Sequence, residues 1–115
     1  MSDIHSRIST LEHLGRFLKQ FESPEPVRND DVLNNDTFFE GFLHQMKLAR
    51  ENNQWFTREQ LAYSFKGWSE LLESSRLKQW MSEYLIEDTE KRTIAIIMAG
   101  NIPMVGFHDL LSVLI

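Results

Sequence analysis

The feature that most constrains this chain is the uneven distribution of its charged residues. All 12 Lys and Arg residues, and every Asp and Glu residue except Asp109, precede Thr93. Residues 94–115 therefore carry one formal charge, and their length would suit a transmembrane helix. Asn101 and Pro103, however, place a polar side chain and a helix-breaking residue in the middle of the run. We therefore expect no membrane span, and a segment buried on all sides inside a protein.

Composition excludes several classes of function. The formal net charge of −5 disfavours binding to phosphate backbones, which needs clustered positive charge, so we expect no nucleic-acid partner. The chain contains no cysteine, which excludes a disulfide, a thiolate zinc site and a cysteine nucleophile within it. His5, His13 and His44 have no second ligand one helical turn away, so we expect no metal site. The first ten residues lack an apolar signal core, which indicates a cytoplasmic protein.

Apolar periodicity predicts about four amphipathic helices before residue 92. The first covers Ile4–Phe21, and residues 22–35, with Pro24 and Pro26, form a mobile linker after it. The second begins at Asp36 or Thr37 and runs to about Glu51, with an apolar stripe of Phe39, Phe42, Met46 and Ala49 that Phe38 and Leu43 widen.

The third and fourth helices have clear starting points. Thr57 and Gln60 have the spacing of a capping box, which predicts that a helix begins directly after Thr57. Ser74 and Ser75 then separate this helix from a fourth. The apolar faces of these two helices are Leu61, Phe65, Trp68 and Leu72 in the third, and Leu77, Trp80, Met81, Tyr84 and Leu85 in the fourth.

The pattern changes at Thr93. The short β-branched run Thr93–Ala99 is typical of a strand covered on both faces, residues 100–103 form a turn, and Met104–Ile115 is apolar enough for a buried helix. A lone strand cannot satisfy its own backbone hydrogen-bonding groups. The sequence therefore predicts two parts: a helical region at 1–92, and at 93–115 the strand, turn and helix that open an incomplete α/β domain of a longer protein.

Two stretches of the chain resemble a known family. Residues 94–109 read IAIIMAGNIPMVGFHD, and the run Gly-Asn-Ile-Pro with a downstream Gly-Phe-His-Asp resembles the strand and turn that open the nucleotide-binding domain of bacterial fatty acyl-CoA reductases. Residues 36–57 are similar to the helical N-terminal region of a subgroup of those enzymes. The family includes the reductase of bioluminescence operons and belongs to the aldehyde dehydrogenase superfamily.

The resemblance implies an oxidoreductase of fatty acid metabolism. In the family, a cysteine attacks an acyl-CoA thioester, NADPH reduces the acyl-enzyme, and a fatty aldehyde leaves. Asn101 matches the turn asparagine whose side-chain amide donates a hydrogen bond to the oxyanion of the tetrahedral intermediate. Gly100, Pro103 and Gly106 would shape that turn. The family's cysteine and glycine-rich loop have no counterpart here, so we expect these 115 residues to bind no cofactor and to be inactive alone.

Simpler interpretations stand beside these. Asn101 is also an ordinary turn residue that makes local backbone hydrogen bonds. His108 and Asp109 point apart on a helix, so Asp109 serves better as a capping or backbone-bonding group than as half of an acid–base pair. The chain as a whole is alternatively a non-catalytic helical module for protein interaction. We expect self-association through residues 93–115, whose apolar surface lacks partners in this chain.

Overall fold

The computed structural model describes residues 4–53, 57–84, 92–98, 104 and 106–115. These residues are mainly helical and form five helices: α1 Ile4–Lys19, α2 Asn35–Asn52, α3 Arg58–Leu71, α4 Ser74–Met81 and α5 Phe107–Leu114. The four predicted helices are therefore confirmed, with Ser74 and Ser75 inside the first turn of α4 rather than before it. Helices α1 and α4 end earlier than predicted, so that Phe21 and Tyr84 lie beyond their last turns. The fifth begins three residues later than predicted, because Met104 has a left-handed φ of 65°.

The centre of the molecule is the contact of α1 with α3 and α4. Leu18, Leu72 and Leu77 are at most 2% exposed there. Gly15 allows the close approach of α1 to the end of α3, since a Cβ atom at this position would lie 2.8 Å from Leu72 Cβ. The glycine inside a helix, unfavourable by propensity, is therefore required by packing.

Helix α2 joins this core through a cluster of phenylalanine rings. The Phe21 side chain is fully buried, and its ring centroid lies 4.5 Å from that of Phe42 and 5.1 Å from that of Phe39. Phe17 and Phe65 complete the cluster, at 5.4 Å and 5.3 Å from Phe42. Only Phe39 among the apolar side chains of α2 is buried. The rest of the predicted stripe is therefore only partly covered by the described residues.

The connector between α1 and α2 is fixed at its base by two buried amides. Gln20 Nε2 donates to Asn35 Oδ1 at 2.8 Å, and Asn35 Nδ2 donates to Gln20 Oε1 at 2.7 Å. The backbone N–H of Asn29 also donates to Gln20 Oε1. Because a buried amide without a partner is costly, these reciprocal bonds fix where α2 starts relative to the end of α1. Pro24 and Pro26 lie outside helix, as predicted.

The helix termini agree with the sequence in one case and differ in another. Thr57 and Gln60 form the predicted capping box: Gln60 N donates to Thr57 Oγ1 at 3.1 Å and Thr57 N donates to Gln60 Oε1 at 3.2 Å. Asparagine readily takes the left-handed conformation at the end of a helix, but Asn53, which follows the last residue of α2, is extended. The left-handed asparagine is Asn34, with φ 67°, at the beginning of that helix.

The segment from Arg92 to Met98 differs from the predicted strand. Residues 92–98 contain no regular secondary structure, and Ile97 is 99% exposed. The reason is physical: a strand needs a neighbour to accept and donate its backbone hydrogen bonds, and the described residues supply none. Ile94 and Ile97 are exposed among the described residues, so the burial expected for residues 94–115 inside a longer protein stays a prediction. Ala99 and the turn at 100–103 lie outside the described residues.

Helix α5, in contrast, packs onto the helical region. Leu111 is buried, and the Phe107 ring meets Trp68 edge-on with centroids 4.6 Å apart. Arg7 Nη1 donates to the backbone oxygen of Ile115 at 2.9 Å. The two ends of the described chain are thus joined, and the helix predicted in the second part of the sequence shares its core with the first part.

Candidate functional site

The predicted turn falls largely outside the part of the chain that the structure describes. Asn101, Gly100 and Pro103 are in that part of the sequence, so their predicted roles stay predictions. Gly106 is described: it is buried and stands at the N-cap of α5. A Cβ atom there would collide with the Met98 side chain, whose own Cβ would lie 2.9 Å away. Because Gly106 has no side chain, Met98 can pack directly against the start of α5.

Met104, which follows the predicted turn, shows backbone strain. Met104 has φ 65°, a conformation that favours glycine, and its side chain packs against the hydrophobic core. A side chain held in this region costs free energy that the surrounding contacts must supply, and such residues are found preferentially at functional sites. Strain therefore lies three residues after Asn101 in the sequence.

His108 and Asp109 do not form an acid–base pair. Both are exposed, and the His108 ring lies 6.2 Å from the ring centroid of Trp80. Asp109 lies in the first turn of α5, where its negative charge is favourable beside the helix N-terminus. It is not the N-cap residue, because Gly106 occupies that position.

The described residues include two apolar cavities on either side of α2. The first, which we call the α1–α2 groove, has a volume of about 790 Å³. It is lined by Thr10, His13, Leu14, Phe17, Leu33, Asn34, Thr37, Phe38, Gly41, Phe42 and Gln45. Leu33 and Phe38 form an exposed rim, each with 57% of its surface open to solvent. A groove of this size falls within the range of small-molecule sites, roughly 300–1,000 Å³.

The second cavity, which we call the α2–α3 cavity, has a volume of about 220 Å³. Its lining residues are Phe42, Gln45, Met46, Ala49, Leu61, Phe65 and Met104. Phe42 and Gln45 line both the groove and the cavity. Met104, the strained residue after the predicted turn, closes the cavity on the side of the C-terminal segment.

Gly41 is the residue of this site that sequence reasoning missed. It lies in the interior of α2, where glycine costs about 1 kcal/mol relative to alanine. Apart from the adjacent residues and the neighbouring backbone of α2, no atom of the described residues lies within 4 Å of the position that its Cβ would take, so packing does not require a glycine there. Its position in the helix could have indicated this role. Gly41 stands three residues after Phe38 and four before Gln45, so it lies on the face that lines the groove.

Other kinds of site find little support. No group of three His, Asp or Glu side chains within the described ranges could hold a metal ion. In the same ranges, no helix combines the length and the apolar character needed to cross a membrane. The described residues form no sheet with a glycine-rich loop at its edge, the arrangement that usually holds a dinucleotide. None of the described residues is therefore given a role in a reaction step that involves NADPH.

Comparison with known proteins gives no match: neither a family model, nor a curated protein, nor a solved structure is similar to this chain at a significant level.

Proposed function

We propose that this chain is the N-terminal portion of a cytoplasmic, NADPH-dependent fatty acyl-CoA reductase. The proposal is carried by the sequence Gly-Asn-Ile-Pro at 100–103, followed by Gly-Phe-His-Asp at 106–109. In this reading, residues 93–99 are the first strand of the nucleotide-binding domain. The exposure of Ile94 and Ile97 supports it, because β-branched residues in solvent are what a strand without its neighbours would present.

Asn101 has a defined role in the proposed reaction. When a cysteine thiolate elsewhere in the protein attacks the acyl thioester, the carbonyl oxygen becomes an oxyanion. A neutral amide held at the end of a strand stabilises that charge without having to reorganise, which is typically worth about 3–4 kcal/mol of the activation barrier. The described residues nearest to Asn101 in the sequence support the proposal, since Met104 is in a strained conformation and Gly106 packs closely on Met98.

A second candidate is a non-catalytic helical module that binds another protein. Its supporting observation is the same exposed apolar surface, above all Ile97, together with Phe38 and Tyr63 on the helices. Under this alternative, Asn101 is an ordinary turn residue and residues 93–98 are the docking segment itself. The chemistry of the two candidates differs completely, so one experiment separates them.

The test begins with the coding sequence beyond the codon for Ile115. The reductase proposal expects continued coding with further strands and a cysteine nucleophile, and it expects the full-length protein to oxidise NADPH only when acyl-CoA is added. The 115-residue chain is the control and should show no turnover above a buffer blank, because thioester exchange requires a thiolate. A full-length protein that lacks a cysteine nucleophile, or that does not oxidise NADPH when acyl-CoA is added, would overturn the proposal and favour the interaction module.

A further inference from the structure

We infer that the α1–α2 groove and the α2–α3 cavity together bind a linear fatty acyl chain. The inference rests on the proposed function and extends it, because it assigns the alkyl part of the substrate to the N-terminal helices. Three independent observations support it: the chemistry of the walls, the shape of the two cavities, and the presence of Gly41.

The walls of both cavities carry no formal charge. In the whole chain 25% of residues are Asp, Glu, Lys or Arg. None of these residue types lines either the groove or the cavity. A charged or strongly polar ligand would lose its hydration without gaining an ion pair there. The walls therefore favour an apolar ligand, because the polar lining residues Thr10 and His13 are exposed whereas Phe17 is buried.

The shape of the site favours a thin ligand. The α2–α3 cavity, at about 220 Å³, is too small for a helix, whose diameter with side chains is roughly 10–12 Å. A methylene chain could extend from the groove past Phe42 and Gln45 into this cavity. Met104 lines its far side and stands three residues after Asn101 in the sequence.

Gly41 keeps the groove open. A larger residue at this position would project into the groove, where the described residues place no atom within 4 Å of the Cβ position apart from the neighbouring backbone of α2 and the residues adjacent to Gly41. Gly67, in the interior of α3, is equally free of neighbours but lines neither cavity. The two glycines have similarly open surroundings, but only Gly41 lines the groove. Gly67 is therefore a matched control position for substitutions at Gly41.

The experiment measures the dissociation constant of dodecanoate for the 115-residue chain by calorimetry, below the micellar concentration of the fatty acid. Gly41→Leu should weaken binding at least tenfold by filling the groove, whereas Gly67→Leu should bind as the unsubstituted chain does. In a series from octanoate to dodecanoate, each added methylene should tighten binding by up to about fourfold, as expected for an alkyl chain that becomes buried. Equal affinity in both leucine variants, or affinity independent of chain length, would overturn the inference.

A second pair of variants covers the case in which Gly41→Leu does not fold. Leu33 and Val27 are both exposed residues of the connector, but only Leu33 lines the groove. Leu33→Glu should weaken binding of the uncharged dodecan-1-ol severalfold, and Val27→Glu should leave it unchanged. If the chain binds neither dodecanoate nor dodecan-1-ol, the inference is wrong. The reductase proposal is not affected by this result, because it is tested separately by the oxidation of NADPH. If the variants bind as expected but the full-length protein does not reduce acyl-CoA, the groove is an alkyl-binding site and the proposed reductase function is wrong.

Discussion

The two sides of α1 differ in how closely another helix approaches them, and two glycines record the difference. On the α3 side, Gly15 allows contact so close that a single added carbon would lie 2.8 Å from Leu72 Cβ. On the α2 side, Gly41 faces open space, and a groove of about 790 Å³ separates the helices beside Phe17 and Phe42. The same residue type thus serves packing in one place and leaves room in the other. We conclude that α1, α3 and α4 form the scaffold, and that α2 is the helix available for binding.

The largest effect should come from the phenylalanine cluster, which is where α2 is attached. Phe21→Ala removes a fully buried ring that contacts Phe17, Phe39, Phe42 and Phe65, and should lower the free energy of unfolding by about 3–5 kcal/mol. Phe38→Ala, at the exposed rim of the groove, should change it by less than about 0.5 kcal/mol. Urea unfolding of both variants checks this. A large loss for Phe38→Ala would mean that the groove is part of the core.

The two glycines provide the most direct test of the comparison itself. Gly15→Ala should reduce the free energy of unfolding by about 1 kcal/mol, because overpacking against Leu72 exceeds the gain in helix propensity. Gly41→Ala should increase the free energy of unfolding by about 0.5–1 kcal/mol, since the added methyl group meets nothing. Thermal unfolding of the two variants measures both signs. Two changes of the same sign would contradict the distinction between the two sides of α1.

The capping box at the start of α3 sharpens the comparison on the scaffold side. Thr57→Ala removes the side-chain acceptor for Gln60 N and should lower the free energy of unfolding by about 1 kcal/mol. Thr57→Ser keeps the hydroxyl and should restore most of the loss. Thermal unfolding with circular dichroism detects this difference. If Thr57→Ser were as destabilising as Thr57→Ala, the hydroxyl would not be the group that matters.

The segment 92–98 is a third kind of surface, and it should affect association more than stability. We expect the chain to form a dimer or larger species through its exposed β-branched residues, which light scattering detects. Ile97→Lys should return a monomer while changing the free energy of unfolding by less than about 0.5 kcal/mol, because Ile97 is 99% exposed. Tyr63→Lys, at an exposed position on α3, is the control and should leave the association intact. A monomeric unsubstituted chain would remove self-association from the account.

Helix positions were predictable because each helix has its own periodic apolar face and local terminal signals. The capping box at Thr57 and Gln60 is a purely local device, and it forms as the sequence indicated. The reciprocal amides of Gln20 and Asn35 were not predictable, since they depend on how two helices and a connector meet in space. The strand at 93–99 was inferred from composition alone, and a strand exists only where a second strand accepts its hydrogen bonds.

In the candidate site, too, features local to one helix were predictable, and features that depend on how the helices pack were not. The apolar stripe of α2 was visible in the sequence, but the extent to which it remains uncovered was not, because coverage depends on the distance of α1 and α3 from it. Gly41 resembles any other glycine in a helix until the space around it is known. The left-handed φ of Met104 had no signal either, since methionine is not a residue that favours this conformation.

The central claim is that Asn101 belongs to the catalytic turn of an acyl-CoA reductase, and the kcat of Asn101→Ala in the full-length enzyme tests it most directly. Loss of one oxyanion donor should lower kcat by roughly 10²–10³-fold with little change in KM, and the melting temperature should stay near that of the unsubstituted enzyme. Asn101→Asp should be more damaging, because a carboxylate would face the developing negative charge. A near-normal kcat combined with a lowered melting temperature would contradict the claim and make Asn101 an ordinary turn residue.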